Sequence, residues 1–137
     1  MARILIVDDS STQRIVMARI LNQQGHKVRT AANGLKGVQA ALASKPDLIL
    51  MDIAMPEMDG FQATRAIKKN PETQQIPIIM VSGTARENDR VWSLRQGACD
   101  FIGKPFQMDT FVGKINSILG LGHAAALVAY NGSQEFT

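Results

Sequence analysis

The sequence predicts a doubly wound α/β fold: a five-stranded parallel sheet with five helices packed over its two faces. Three observations lead there. Short, continuously apolar runs occur at residues 4–7 (Ile-Leu-Ile-Val), 48–51 (Leu-Ile-Leu-Met) and 78–81 (Ile-Ile-Met-Val). Such runs fit strands buried on both faces. Segments with helical apolar spacing lie between them, and the strand–helix unit recurs five times. Alternation of this kind implies parallel strands joined by helical crossovers.

Each element has its own signal. After the first strand, Ile15, Val16, Met17, Arg19 and Ile20 fit an amphipathic helix, with Ser10, Ser11 or Thr12 as its N-cap. Gly25 stands where a helix-ending glycine belongs. A weaker strand, at about residues 27–31 and suited to a sheet edge, carries Val28 and Ala31. Leu35, Val38, Ala41 and Leu42 form the second helix, which stops near Pro46. The third begins after Asp59-Gly60, carries Phe61, Ala63, Thr64 and Ile67, and cannot pass Pro71. The fourth holds Val91 and Leu94 and ends at Gly97. Phe101-Ile102 is the fifth strand. Phe111, Val112, Ile115, Ile118 and Leu119 form the last helix, closed by Gly120-Leu-Gly122. Residues 1–120 therefore read as one domain. Residues 121–137 fall outside the pattern, as a tail, a linker or residues left by cloning.

Composition excludes several classes. The 137 residues are 45% hydrophobic, 20% charged and 5% aromatic, which argues against disorder, a fibre or a coiled coil. One cysteine, Cys99, excludes an intramolecular disulfide and a Cys-rich zinc site, and reads as a small buried hydrophobe. His26 and His123 are too far apart in sequence to suggest a zinc centre. No apolar run approaches the roughly 20 residues of a membrane span. The first apolar run stops at Asp8-Asp9, unlike a signal peptide, so a cytoplasmic location without membrane insertion is expected. The net charge of +3 comes from 15 basic and 12 acidic residues. The basic residues are scattered, with no interleaved aromatics, so no direct nucleic-acid contact is expected.

In parallel sheets of this kind, ligands bind beyond the carboxyl ends of the strands. Asp8 and Asp9 follow the first run, Asp52 the third, Ser82 the fourth, and Lys104-Pro105 the fifth. Each has an ordinary reading. An Asp after a strand forms turns or caps helices, Ser82 before Gly83 caps a turn, and Lys104 is a solvated loop lysine. Their convergence on one edge is what discriminates. Three adjacent carboxylates repel, so one pKa rises or a cation enters. Oxygen-only donors suit Mg²⁺. An acidic pair for the ion, with the separate third carboxylate, a hydroxyl and an ammonium, makes a set for phosphoryl transfer, in which the carboxylate can be the nucleophile.

The sequence resembles the receiver domains of two-component response regulators over about residues 2–120. The resemblance rests on Ile-Leu-Ile-Val-Asp-Asp-Ser at 4–10, Met-Asp-Ile-Ala-Met-Pro-Glu-Met-Asp-Gly at 51–60, Val-Ser-Gly at 81–83 and Gly-Ala-Cys-Asp-Phe-Ile-Gly-Lys-Pro-Phe at 97–106. It implies a flavodoxin-like (βα)5 receiver fold in which Asp52 takes a phosphoryl group from a histidine kinase or phosphotransfer domain. It also implies Mg²⁺ held by Asp9, Asp52 and the Ala54 carbonyl, with Asp8 acting through water. Ser82 and Lys104 would contact the phosphoryl oxygens. Phe101 would change rotamer as Ser82 moves, and the Lys104–Pro105 bond would be cis. Phe-Gln-Ala-Thr-Arg at 61–65 and Val-Trp-Ser-Leu-Arg-Gln-Gly-Ala at 91–98 resemble single-domain chemotaxis-type receivers of pilus-twitching systems.

On this reading the protein is a switch rather than an enzyme with a product. It would phosphorylate itself from small phosphodonors and dephosphorylate itself. Its output would be docking of a downstream protein on the face built by the fourth helix, fifth strand and fifth helix. It would act as a monomer or a weak dimer. The resemblance further implies that Ala54 and Thr84, two residues beyond Asp52 and Ser82, would tune how readily water attacks the acyl phosphate. Trp92 is either a packing residue or, with Arg90 and Arg95, a docking anchor. The main alternative is a receiver fragment of a longer DNA-binding regulator. An aspartyl-phosphate phosphohydrolase would want a second Asp at position 54. A flavin carrier would want a phosphate loop where Asp8-Asp9 stands.

Overall fold

The computed structural model describes residues 1–83 and 87–121. The expectations for Thr84, His123 and the 122–137 tail lie outside these residues. In chain order the elements are β1 (Arg3–Val7), α1 (Ser11–Gln23), β2 (Lys27–Ala31), α2 (Gly34–Ser44) and β3 (Leu48–Asp52). They continue as α3 (Gly60–Lys69), β4 (Ile78–Ser82), α4 (Glu87–Arg95), β5 (Asp100–Gly103) and α5 (Met108–Ile118). All five strands are parallel, in the order β2-β1-β3-β4-β5. The doubly wound fold is as the sequence predicts, with β2 on the edge. Among the described residues no helix is long and apolar enough to cross a membrane.

Strand alternation divides the core into two layers, because successive side chains point to opposite faces. Ile4, Ile6, Leu48, Leu50, Ile79, Val81 and Ile102 pack under α1 and α5, against Met17, Ile20, Leu21, Phe111, Val112 and Ile115. Leu5, Val7, Ile49, Met51, Ile78 and Met80 point the other way, toward Ala41 of α2 and Ala63 and Ile67 of α3.

The helix termini follow local chemistry. Ser10 caps α1, its hydroxyl accepting from the Gln13 amide. Asn33 caps α2 through the Lys36 amide. Asp59 and Gln62 form a reciprocal capping box at α3. Gly25, at φ +87°, leaves α1 in the left-handed conformation that glycine adopts without strain.

The helix faces correct the expected patterns. Ile15, Val16, Leu35, Leu42, Val91 and Leu94 are exposed, although the sequence pattern puts each on an apolar stripe. In α1 the buried side is Met17, Ile20 and Leu21, and in α2 it is Gly34, Gly37 and Ala41. Small residues make the α2 contact because the helix lies close to β1: a Cβ on Gly37 would come within 2.7 Å of Val7 Cγ1. Cys99 is exposed rather than buried. Its amide donates to the Ile78 carbonyl, so backbone pairing places it instead of apolar packing.

His26 is buried, and its Nδ1 accepts a hydrogen bond from the Ala2 amide at 3.1 Å. Burial, and secondarily the N-terminal amino group, push its pKa below the usual 6.5. The folded state thus favours the neutral ring. As pH falls below about 6.5 the unfolded chain binds the extra proton first, so stability is lost on the acid side. We expect His26→Gln to abolish this acid-side loss, measured by urea denaturation at neutral and mildly acidic pH.

Candidate functional site

The chain runs from β1 outward to β2, then back past β1 to β3. This reversal opens a crevice between the carboxyl ends of β1 and β3. Asp8 follows β1 and Asp52 ends β3, so both stand at its rim. Asp8, Asp9 and Asp52 each offer an oxygen within 4.8 Å of the others. Asp8 and Asp52 are buried, at 1% and 7% exposure, while Asp9 faces solvent.

Lys104 enters from the loop after β5. Its Nζ lies 2.9 Å from Asp8 Oδ2 and 3.6 Å from Asp52 Oδ1. Its amide donates to the Ser82 carbonyl at 2.7 Å, continuing the β4–β5 ladder past the strand end. The Lys104–Pro105 bond is cis. Just beyond it, Phe106 stacks on Phe111 of α5 with ring centroids 4.3 Å apart. Contact of the partly buried Phe106 with the buried Phe111 thus anchors the segment that carries the ammonium.

Backbone contacts hold the carboxylates. The Ser10 amide donates to Asp8 Oδ1 at 2.9 Å, and Arg14 Nη1 donates to the Asp8 carbonyl at 2.8 Å. Asp52 is braced by Gly60, whose amide donates to the Ile53 carbonyl. A Cβ on Gly60 would stand 2.1 Å from the Asp52 carbonyl oxygen and 2.8 Å from Ile53 Cα. We expect Gly60→Ala to lower stability by about 2 kcal/mol in thermal or urea unfolding, because backbone must move to admit the methyl.

Burial pushes the Asp52 carboxyl up to about 6, with the Asp8 charge adding to the rise, Lys104 opposing it and Asp9 contributing less. Among the described residues one ammonium, that of Lys104, faces the three carboxylates of Asp8, Asp9 and Asp52, so the crevice is short of positive charge. Oxygen atoms across an octahedral magnesium ion are separated by about 4 Å, twice a ligand distance of about 2.1 Å. The all-oxygen cluster, with one exposed member for entry, fits such a hard dication.

The crevice thus gathers Asp8, Asp9, Asp52 and Lys104. Ser82 ends β4 one residue past Val81, the register partner of Asp52, and is fully buried. Ala54 lies exposed in the loop after Asp52. Phe101, opposite Met80 on β5, is half-buried against the α2–α3 layer. Arg90, Trp92 and Arg95 sit elsewhere, on the exposed side of α4, with the Arg95 guanidinium 5.8 Å from the Trp92 ring centroid. Sequence reasoning did not identify Arg14 or Gly60 as site supports. The Asp59-Gly60 pair marks a helix start in the sequence, but nothing there shows the approach of the glycine to Asp52.

A doubly wound domain with an acidic crevice at its switch point, and a lysine reaching in from the last strand, has the architecture of a receiver-type signalling domain. The chain belongs to the response regulator receiver domain family, whose model matches residues 4–116. It is 49% identical over 119 residues to Protein PilH of Pseudomonas aeruginosa, covering 87% of this chain and 98% of that one. It is 42% identical over 118 residues to the chemotaxis protein CheY of Bacillus subtilis, covering 85% and 97%. Among solved structures it matches the receiver domain of sensor histidine kinase PA1611 from Pseudomonas aeruginosa, with magnesium coordinated in the active site cleft. That match has a TM-score of 0.81 at 31% identity, covering 87% of this chain and 98% of the other. Receiver domains are the signalling switches of two-component systems, and the resemblance to single-domain chemotaxis-type receivers holds.

Proposed function

We propose that this protein is a phosphorylation-dependent switch in which Asp52 accepts a phosphoryl group from a histidine kinase or phosphotransfer domain. The observation that carries the reading is the placement of Lys104 Nζ at 2.9 Å from Asp8 and 3.6 Å from Asp52 in the acidic crevice. A carboxylate oxygen of Asp52 bonds to phosphorus while the bond from phosphorus to the donor imidazole breaks, and the ring nitrogen keeps the electron pair. With a pKa of about 6, Asp52 is mostly ionised near neutral pH and able to attack. Lys104 and the Ser82 hydroxyl then donate to phosphoryl oxygens. Asp9, Asp52 and the Ala54 carbonyl would hold Mg²⁺, with Asp8 acting through water. Bound there, the ion would neutralise charge developing on the phosphoryl group.

Phosphorylation adds charge and acceptor oxygens beside Ser82. Movement of Ser82 is passed to β5 through the bond between its carbonyl and the Lys104 amide. Phe101, lacking a hydroxyl that would need a partner, turns inward at low desolvation cost. The altered face of α4, β5 and α5, with Arg90, Trp92 and Arg95, then docks a downstream protein. Ala54 neither blocks nor orients a water, so self-dephosphorylation runs at an ordinary rate. Small phosphodonors such as acetyl phosphate also serve. The protein works in the cytoplasm, as a monomer or weak dimer, without direct nucleic-acid contact.

The likeness to PilH supports a place in a pilus-twitching branch of chemotaxis-type signalling. The test is amide NMR of nitrogen-labelled protein before and after addition of acetyl phosphate and Mg²⁺. Shifts at Ser82, Gly83, Phe101 and the Trp92 indole, absent in Asp52→Asn, are expected. Spectra that change only at the crevice rim would overturn the switch.

A further inference from the structure

The edge strand β2 lies on the flank of the sheet away from β4 and β5. The Lys27 amide donates to the Ala2 carbonyl, and the Ala31 carbonyl accepts from the Asp8 amide. In a parallel ladder this alternation turns the amides and carbonyls of residues 27, 29 and 31 toward β1. Those of Val28 and Thr30 therefore point outward, and among the described residues none pairs with them. Lys27 and Arg29 pair with Arg3 and Leu5, so their side chains share the α2 face of the sheet. Both are exposed, and no described carboxylate neutralises either.

A cleft of about 510 Å³ runs along this edge, lined by Arg3, Lys27, Val28, Arg29, Ser44 and Pro46, among others, with no acidic side chain in its wall. Arg3 is already engaged, its Nη2 donating to the Ser44 and Lys45 carbonyls at the end of α2. Asp47 is held by the Arg3 amide. Glu72 is drawn to Lys45. Among the described residues none of Arg3, Lys27 and Arg29 has a carboxylate in ion-pair range, and Lys27 and Arg29, two residues apart on one side of an open strand, are the two whose side chains are not tied to α2.

We infer that the β2 edge is a second docking site, which takes an extended acidic segment of a partner protein as an added sixth strand. Its backbone would pair with Val28 and Thr30. Carboxylates at alternate positions would meet Lys27 and Arg29, since side chains on one face of a strand recur every second residue. A second copy of this chain fits poorly, because pairing two such edges would set like charges against one another. The cleft holds the first residues of β1 and β2, at the opposite end of the strands from Asp52, so docking there leaves the crevice open.

The test uses the full chain and a capped peptide of alternating valine and glutamate. The controls are the same composition with the glutamates in a block, and an alternating peptide N-methylated along one edge. NMR titration should shift the amides of Val28 and Thr30. The alternating peptide should bind about tenfold more tightly than the block peptide, and N-methylation should abolish binding. Lys27→Glu with Arg29→Glu should lose the acidic peptide and gain its lysine counterpart, with uptake from acetyl phosphate unchanged. Equal affinity for the block peptide would overturn the proposal in favour of a diffuse polyanion surface. Shifts centred on another element, self-association through β2, or no saturable binding would also overturn it.

Discussion

Replacing Lys104 with methionine should destabilise the metal-free protein by about 3–5 kcal/mol near neutral pH, the usual cost of breaking one side of a buried ion pair. Lys104 is 14% exposed and Asp8 1% exposed, so solvent screens the pair poorly. Without the ammonium, the Asp8 carboxylate keeps, among the described residues, its bond from the Ser10 amide. Asp52 loses the cation that opposes the rise, which should raise its pKa further from about 6. A carboxyl whose folded pKa lies above its unfolded value contributes stability at low pH and loses it as pH rises. The deficit of the variant should therefore shrink as pH falls toward about 5. Urea denaturation of both proteins at two pH values in the presence of a chelator measures this. A deficit that is small and independent of pH would contradict the placement of Lys104 as counter-ion to both carboxylates.

Removing the charge at Asp52 should have the opposite sign. Its carboxyl is raised from 3.8 to about 6, chiefly by burial. Between these values the folded state binds more protons than the unfolded chain, so stability falls as pH rises through the window. At pH 7 the ionised group costs the metal-free fold up to about 3 kcal/mol, at roughly 1.4 kcal/mol per pKa unit. Asp52→Asn should relieve most of that cost and raise the melting temperature at pH 7. Near pH 4 the two proteins should converge, because the wild-type carboxyl is then protonated when folded. A variant less stable than wild type at pH 7 would show that Asp52 is held by attraction to Lys104 rather than strained by burial beside Asp8. On the proposed function the same substitution also removes the nucleophile, so greater stability would accompany loss of phosphoryl uptake.

The strands were legible in the sequence because burial on both faces leaves little choice of residue: all five residues of β3 and of β4 are buried. The topology then placed Asp8, Asp52, Ser82 and Lys104 at one end of the sheet without reference to any contact. Helix faces were less legible. Ala41, Ala63 and Ile67 lie on their expected faces and are buried, but α2 also packs through glycines, Gly37 against Val7 of β1 and Gly34 against Met58, and glycines leave no apolar stripe to read. Larger residues such as Leu35 and Leu42 were displaced to the outside, where they imitate a core face. The site supports were hidden for a related reason. Arg14 acts on a main-chain carbonyl, and Gly60 acts by having no side chain, so neither advertises its role in residue type.

The central claim is that the acidic crevice is one phosphoryl-accepting centre with Asp52 as its nucleophile. Intact mass after incubation with acetyl phosphate, with and without Mg²⁺, tests it most directly on wild type and Asp52→Ala. The account predicts a gain of a single phosphoryl group in the wild type that depends on Mg²⁺ and disappears in the variant. No gain in the wild type, or an equal gain in Asp52→Ala, would contradict it.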